Sequence, residues 1–113
     1  DAMAAACAAD GHYLLGSLDV DVEGGVARLS EGGSIAGSTL TMDRALRRAV
    51  TEVGLDIVDA VNAATRVPAR FLGLEREIGA VEPGLAADLV IFDDAWQVRA
   101  MLLAGAWADE RRP

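Results

Sequence analysis

Few residue types in this chain can move a proton, attack a carbonyl or hold a metal. Asp1 is a carboxylate at the edge of the chain, able in principle to accept and return a proton. Taken by itself it is simply a solvated terminal charge. His12 is the only histidine. An imidazole can be a general base or a metal ligand. No second His, Cys or Glu stands at ligand spacing from it, so these residues build no zinc site on their own. Cys7 is the only cysteine. It has no His or cationic neighbour in sequence to make it a thiolate, and reads as a small buried residue. Ser38, Thr39 and Thr41 carry hydroxyls without a histidine partner, which argues against nucleophilic catalysis. The Gly37-Ser38-Thr39 stretch precedes a helix and could offer backbone amides to a ligand, with helix capping as the competing explanation. Arg44, Arg47 and Arg48 form a basic patch that reads as a solvated helix face. Trp96 and Trp107 read as anchors of a β-rich tail. No complete active site emerges from these residues alone.

The elements that would position them follow from periodicity. Residues 1–12 are small and mostly apolar and end in the turn signal Asp10-Gly11, so a loop with a helical turn is expected. Leu18, Val20 and Val22 alternate with Asp19, Asp21 and Glu23, which predicts a strand with one buried and one acidic, wet face. Gly24-Gly25 leads into Val26-Ala27-Arg28-Leu29, and the pattern predicts a hairpin or three-stranded meander. From Met42 the apolar positions 42, 45, 46, 49, 50 and 53 lie on one helical face. Thr41 stands at the N-cap, Asp43 in the first turn, and Gly54 at the stop. A second helix is expected over 56–65, with Leu55, Val58, Val61 and Ala64 inward. A third starts at Pro68 and ends at Gly73. After Leu74 the composition changes: residues 88–92 and 98–103 read as strands, and Gly105 turns into Ala106-Trp107. A boundary is placed near residue 75.

Composition bounds the function. In 113 residues there are 18 acidic and 10 basic side chains, a formal charge of −8, which argues against nucleic acid or an anionic membrane as the main partner. All ten basic residues are Arg, a coding bias without functional weight. Hydrophobic residues are 52% and charged ones 25%, a globular composition. No apolar run reaches the roughly 18 residues of a membrane span. A single cysteine makes no internal disulfide, so a reducing cytoplasm is the expected compartment. The pieces do not close into one obvious core, which leads us to expect a missing partner segment.

Residues Ala63-Ala64-Thr65, Pro68-Ala69, Leu72-Gly73-Leu74, Gly79, Pro83-Gly84 and Ala87-Asp88-Leu89-Val90 resemble the C-terminal region of the amidohydrolase superfamily. Asp1-Ala2-Met3, the hairpin and the run Ile35-Ala36-Gly37-Ser38-Thr39-Leu40-Thr41-Met42 are similar to its N-acetylglucosamine-6-phosphate deacetylases. The resemblance implies an α/β fold: the C-terminal part of a (β/α)₈ metal-dependent hydrolase barrel in residues 1–74, and strands of a small β-sandwich in residues 75–113. It implies hydrolysis of the N-acetyl amide of N-acetylglucosamine 6-phosphate, a sugar-phosphate substrate, and a homodimeric enzyme. Asp1 would then be the catalytic acid–base at the end of strand eight. Ile35, Ala36 and Gly37 would lie against the substrate. The cofactor implied is a divalent metal, zinc or iron, that polarises the carbonyl and activates water. Its ligands would lie upstream and none within these residues, so this segment alone would be inactive.

Two other readings have their own discriminators. A deaminase or cyclic amidase of the same superfamily would show itself in a substrate panel, and Gly-Ser-Thr-Leu-Thr-Met argues against it. A non-catalytic interaction module would melt cooperatively by itself.

Overall fold

The structure, a computed structural model, describes residues 2–108. Its strands are β1 (Gly11–Leu15), β2 (Leu18–Glu23), β3 (Val26–Leu29), β4 (Leu89–Phe92), β5 (Val98–Leu103) and β6 (Ala106–Trp107). Between the two strand groups lie helices α1 (Met42–Thr51), α2 (Ile57–Ala64) and α3 (Arg66–Phe71). The chain is therefore α/β, with two three-stranded antiparallel sheets ordered β1-β2-β3 and β4-β5-β6. It gathers into two units, one running to Arg44 and one from Ala45. Asp1 lies outside the described residues.

In the first unit the period-two pattern does what it should. Val20 is fully buried and Val22 nearly so, while Asp19, Asp21 and Glu23 face water. Leu18 departs from the expectation: it is half exposed, at the strand end beyond the core. That core is Met3, Ala5, Val20, Val22, Ala27 and Ala36, with Tyr13 and Leu29 packed against it. Residues 2–8 form turns, through Ala6 N–H to the Met3 carbonyl and Ala8 N–H to the Ala5 carbonyl. The β2–β3 connection is two residues, because Glu23 pairs with Val26. Gly24 and Gly25 both have positive φ, 58° and 73°, as a tight hairpin turn of matching twist requires. Cys7 is exposed rather than buried, and its φ is 66°. A turn conformation pushes its side chain out of the small core that Met3 and Ala5 fill.

In the second unit Asp56 caps α2, accepting the N–H groups of Val58 at 2.8 Å and Asp59 at 3.4 Å. α3 begins at Arg66, so Pro68 is its third residue rather than its first; a proline anywhere in the first turn withholds no needed donor. Ala60 and Ala69 are buried, but Val58 and Val61 remain exposed where an inward face was expected. Among the described residues no side chain of α1 is buried. On its apolar face Ala45, Leu46, Ala49 and Val50 are half-buried, while Met42 and Val53 are exposed. β4 and β5 pair with an irregularity between Ile91 and Phe92. Asp93 holds the turn between them, accepting the N–H groups of Ala95 and Gln97 at 2.9 and 2.8 Å and Arg99 Nε at 2.7 Å. Those contacts, the Gln97 amide first, hold its carboxyl below the usual carboxylate range. Trp96 packs beside Phe92 with ring centres 6.2 Å apart. Trp107, expected as a second anchor, is exposed. No helix among the described residues is long and apolar enough to cross a membrane.

Candidate functional site

The segment Ile35–Gly37 runs along the outer edge of the first sheet. Ile35 pairs with Arg28 as an isolated antiparallel bridge, and Ala36 N–H donates to the Ala27 carbonyl at 2.9 Å. Ala36 is buried in the core, whereas Ile35 is well exposed. This alternation is what an extra strand on a half-buried sheet produces. It leaves Ile35 facing outward on an edge of backbone groups. Gly37 has φ 83° and bends the chain away.

Immediately afterwards Ser38 pairs in parallel with Ala2, and the Ser38 carbonyl accepts Met3 N–H at 3.0 Å. Thus the residue following Asp1 and the residue following Gly37 are backbone partners. The hydroxyls read as lacking a histidine have structural tasks. Ser38 Oγ accepts Leu40 N–H at 3.1 Å. The Thr39 hydroxyl donates to the Gly25 carbonyl. The Thr41 hydroxyl bonds the Asp43 carboxylate and is the chief reason that carboxyl lies below its ordinary range, with the Arg44 amide helping. None of the three arrangements makes a nucleophile.

His12 sits on the wet face, paired across strands with Asp21. Its Nδ1 is 3.0 Å from Asp21 Oδ1 and its Nε2 is 3.0 Å from Asp19 Oδ1. An imidazole can donate from both nitrogens only when protonated. The two carboxylates, Asp21 foremost, raise its pKa above 6.5. Asp21 is lowered in turn, first by the Ser30 hydroxyl and then by His12. The sequence contained the signal for this, since His12 lies one turn back from an alternating acidic strand.

Asp10 was legible only as a turn residue. Its carboxylate accepts Gly24 N–H at 2.6 Å and Gly25 N–H at 3.1 Å. An open depression of about 350 Å³ is lined by Ala5, Cys7, Asp10, Gly25, Thr39 and Arg44. Arg48, of the same basic patch, is paired with Glu52 at 2.9 Å along α1. Among the described residues no three His, Cys, Asp or Glu side chains converge as a metal site.

The chain matches the amidohydrolase family over residues 6–109. It is 39% identical over 108 residues to an N-acetylgalactosamine-6-phosphate deacetylase of Escherichia coli O157:H7, covering 96% of this chain and 28% of the relative. It is 34% identical over 116 residues to the N-acetylglucosamine-6-phosphate deacetylase of Bos taurus, covering all of this chain and 28% of that one. Among solved structures it is similar to a mutant N-acetyl-D-glucosamine-6-phosphate deacetylase from Mycobacterium smegmatis in complex with N-acetyl-D-glucosamine-6-phosphate. There the identity is 46% and the TM-score 0.79, over 94% of this chain and 28% of that one. The chain thus spans little more than a quarter of the length of these relatives.

Proposed function

The chain belongs to the amidohydrolase family, and from that membership we propose that it forms the C-terminal part of a deacetylase acting on N-acetylglucosamine 6-phosphate. Residues 1–74 would close a (β/α)₈ hydrolase barrel, and residues 75–113 would contribute strands to a small β-sandwich. Water would add to the acetamide carbonyl and the C–N bond would break, giving acetate and glucosamine 6-phosphate. Asp1 would take the proton of the attacking water and return it to the departing amine. Ile35, Ala36 and Gly37 would line the substrate, chiefly through backbone groups at the sheet edge.

The observation that carries this reading is the pairing of Ala2 with Ser38, which draws the segment following Asp1 alongside the segment following Gly37. Two stretches proposed for one site are neighbours in space. The described residues do not fit a divalent metal by themselves. In this reading zinc or iron would be held by residues elsewhere in the whole polypeptide. A cytoplasmic homodimer is part of the same proposal.

The relative named for N-acetylgalactosamine 6-phosphate, at 39% identity, favours a second reading in which the sugar is the 4-epimer. For the whole polypeptide, acetate release should be measured on both epimeric 6-phosphates, ring opening on a cyclic amide and ammonia release on an aminopurine. Fastest turnover of the gluco substrate is the expected result. Activity on the cyclic amide or aminopurine alone would overturn the deacetylase reading, and a galacto preference would select the second.

A further inference from the structure

The Gly24–Gly25 turn is gripped from two sides by side chains that its own hairpin does not supply. The hairpin needs no such help: the ladder closes at Glu23 and Val26, and both glycines already hold positive φ. Yet both turn amides are spent on one carboxylate, that of Asp10. The Gly25 carbonyl is spent on the Thr39 hydroxyl. Asp10 ends the segment that begins beside Asp1. Thr39 directly follows Ser38, the partner of Ala2 and Met3. The contacts form a closed ring through residues 2–10, the turn, and residues 35–39.

We propose that Asp10 and Thr39 are positioning residues that use the Gly24–Gly25 turn as an anchor to fix the Ile35–Gly37 segment against residues 2–3. The inference rests on the function proposed above and gives a task in it to Asp10, read from sequence as a turn residue, and to Thr39, read there as a hydroxyl without a histidine partner. Asp10 supplies charge-assisted bonds, the stronger kind. Thr39 locks the chain two residues beyond Gly37. Ile35, Ala36 and Gly37 are proposed to bind substrate and not to react with it, so loss of the clasp should be felt in KM before kcat or protein stability.

The test uses the whole polypeptide with Thr39→Val, Thr39→Ser and Asp10→Asn. Valine keeps the shape and removes the hydroxyl; serine restores it. Asparagine puts a donor where one turn amide needs an acceptor. Hydrogen exchange should show roughly tenfold faster exchange at the Ala36 and Met3 amides in Thr39→Val and Asp10→Asn, with Thr39→Ser close to wild type. The same two variants should raise KM about five- to fifty-fold while kcat changes less than threefold, and serine should restore KM. Unchanged exchange, or equal KM in the valine and serine variants, would overturn the clasp. So would a kcat loss that merely follows the folded fraction. If the wild type ignores both amino-sugar phosphates, the function reading fails, and the exchange data still decide whether the ring holds the segment.

Discussion

The carboxylate of Asp88 accepts the backbone N–H of Ala104 at 2.6 Å, tying the start of β4 to the turn between β5 and β6. Ala104 needs the tie, because its φ of 49° is left-handed, a conformation that costs a non-glycine residue roughly 1 kcal/mol. The aspartate of the Ala-Asp-Leu-Val motif is therefore structural. Asp88→Ala should lower unfolding free energy by about 1–3 kcal/mol, measured by denaturant titration of the whole polypeptide. Ala104→Gly should move it the other way. Equal stability of Asp88→Ala and wild type would show that the bond contributes nothing.

Gly79 admits no side chain. A Cβ there would stand 2.7 Å from Ala69 Cβ and 3.2 Å from the Thr65 carbonyl, at φ +96°. α3 rests on this glycine. Gly79→Ala should cost on the order of 1–3 kcal/mol through overpacking and left-handed strain, read as a fall in melting temperature. A melt within a degree of wild type would refute the close approach.

The wet face of the meander should be most stable under mildly acidic conditions. Folding raises the pKa of His12 above 6.5. Its contribution is complete below that pH and is lost as pH climbs through the raised value. Folding lowers Asp21 below 3.8. Its contribution is present above that pH and is lost as pH falls through the lowered value. The imidazole resonance of His12, assigned by its disappearance in His12→Gln, should titrate above 6.5. Titration at or below that value would mean the two carboxylates do not hold it.

Asp1→Asn bears on the proposed chemistry directly. An amide cannot take the proton of water, so turnover should fall about 10²–10⁴-fold, with metal content little changed by elemental analysis. Near-normal turnover would remove Asp1 from the mechanism.

Much of the local structure was legible because it obeys local rules. The alternation around Val20 and Val22 and the helical face from Met42 each follow a backbone period, and the glycine pair at 24–25 marks a tight turn. What could not be read was long-range. Asp10 finds its partners fourteen and fifteen residues away, and Asp88 finds its partner sixteen away; no period announces such bonds. Buried faces were over-assigned at Val58 and Val61, since periodicity names an apolar side without saying whether anything covers it. Of the candidate site, the pattern placed Ile35–Gly37 before a helix but could not reveal that these residues extend a sheet.

Both sheets join only strands adjacent along the chain, β1 to β2 to β3 and β4 to β5 to β6. Their assembly thus needs only short loop closures, of the kind completed within about 1–10 μs for a hairpin. The ladders can form from neighbours alone, while the core of the first also takes Met3, Ala5 and Ala36 from outside its three strands.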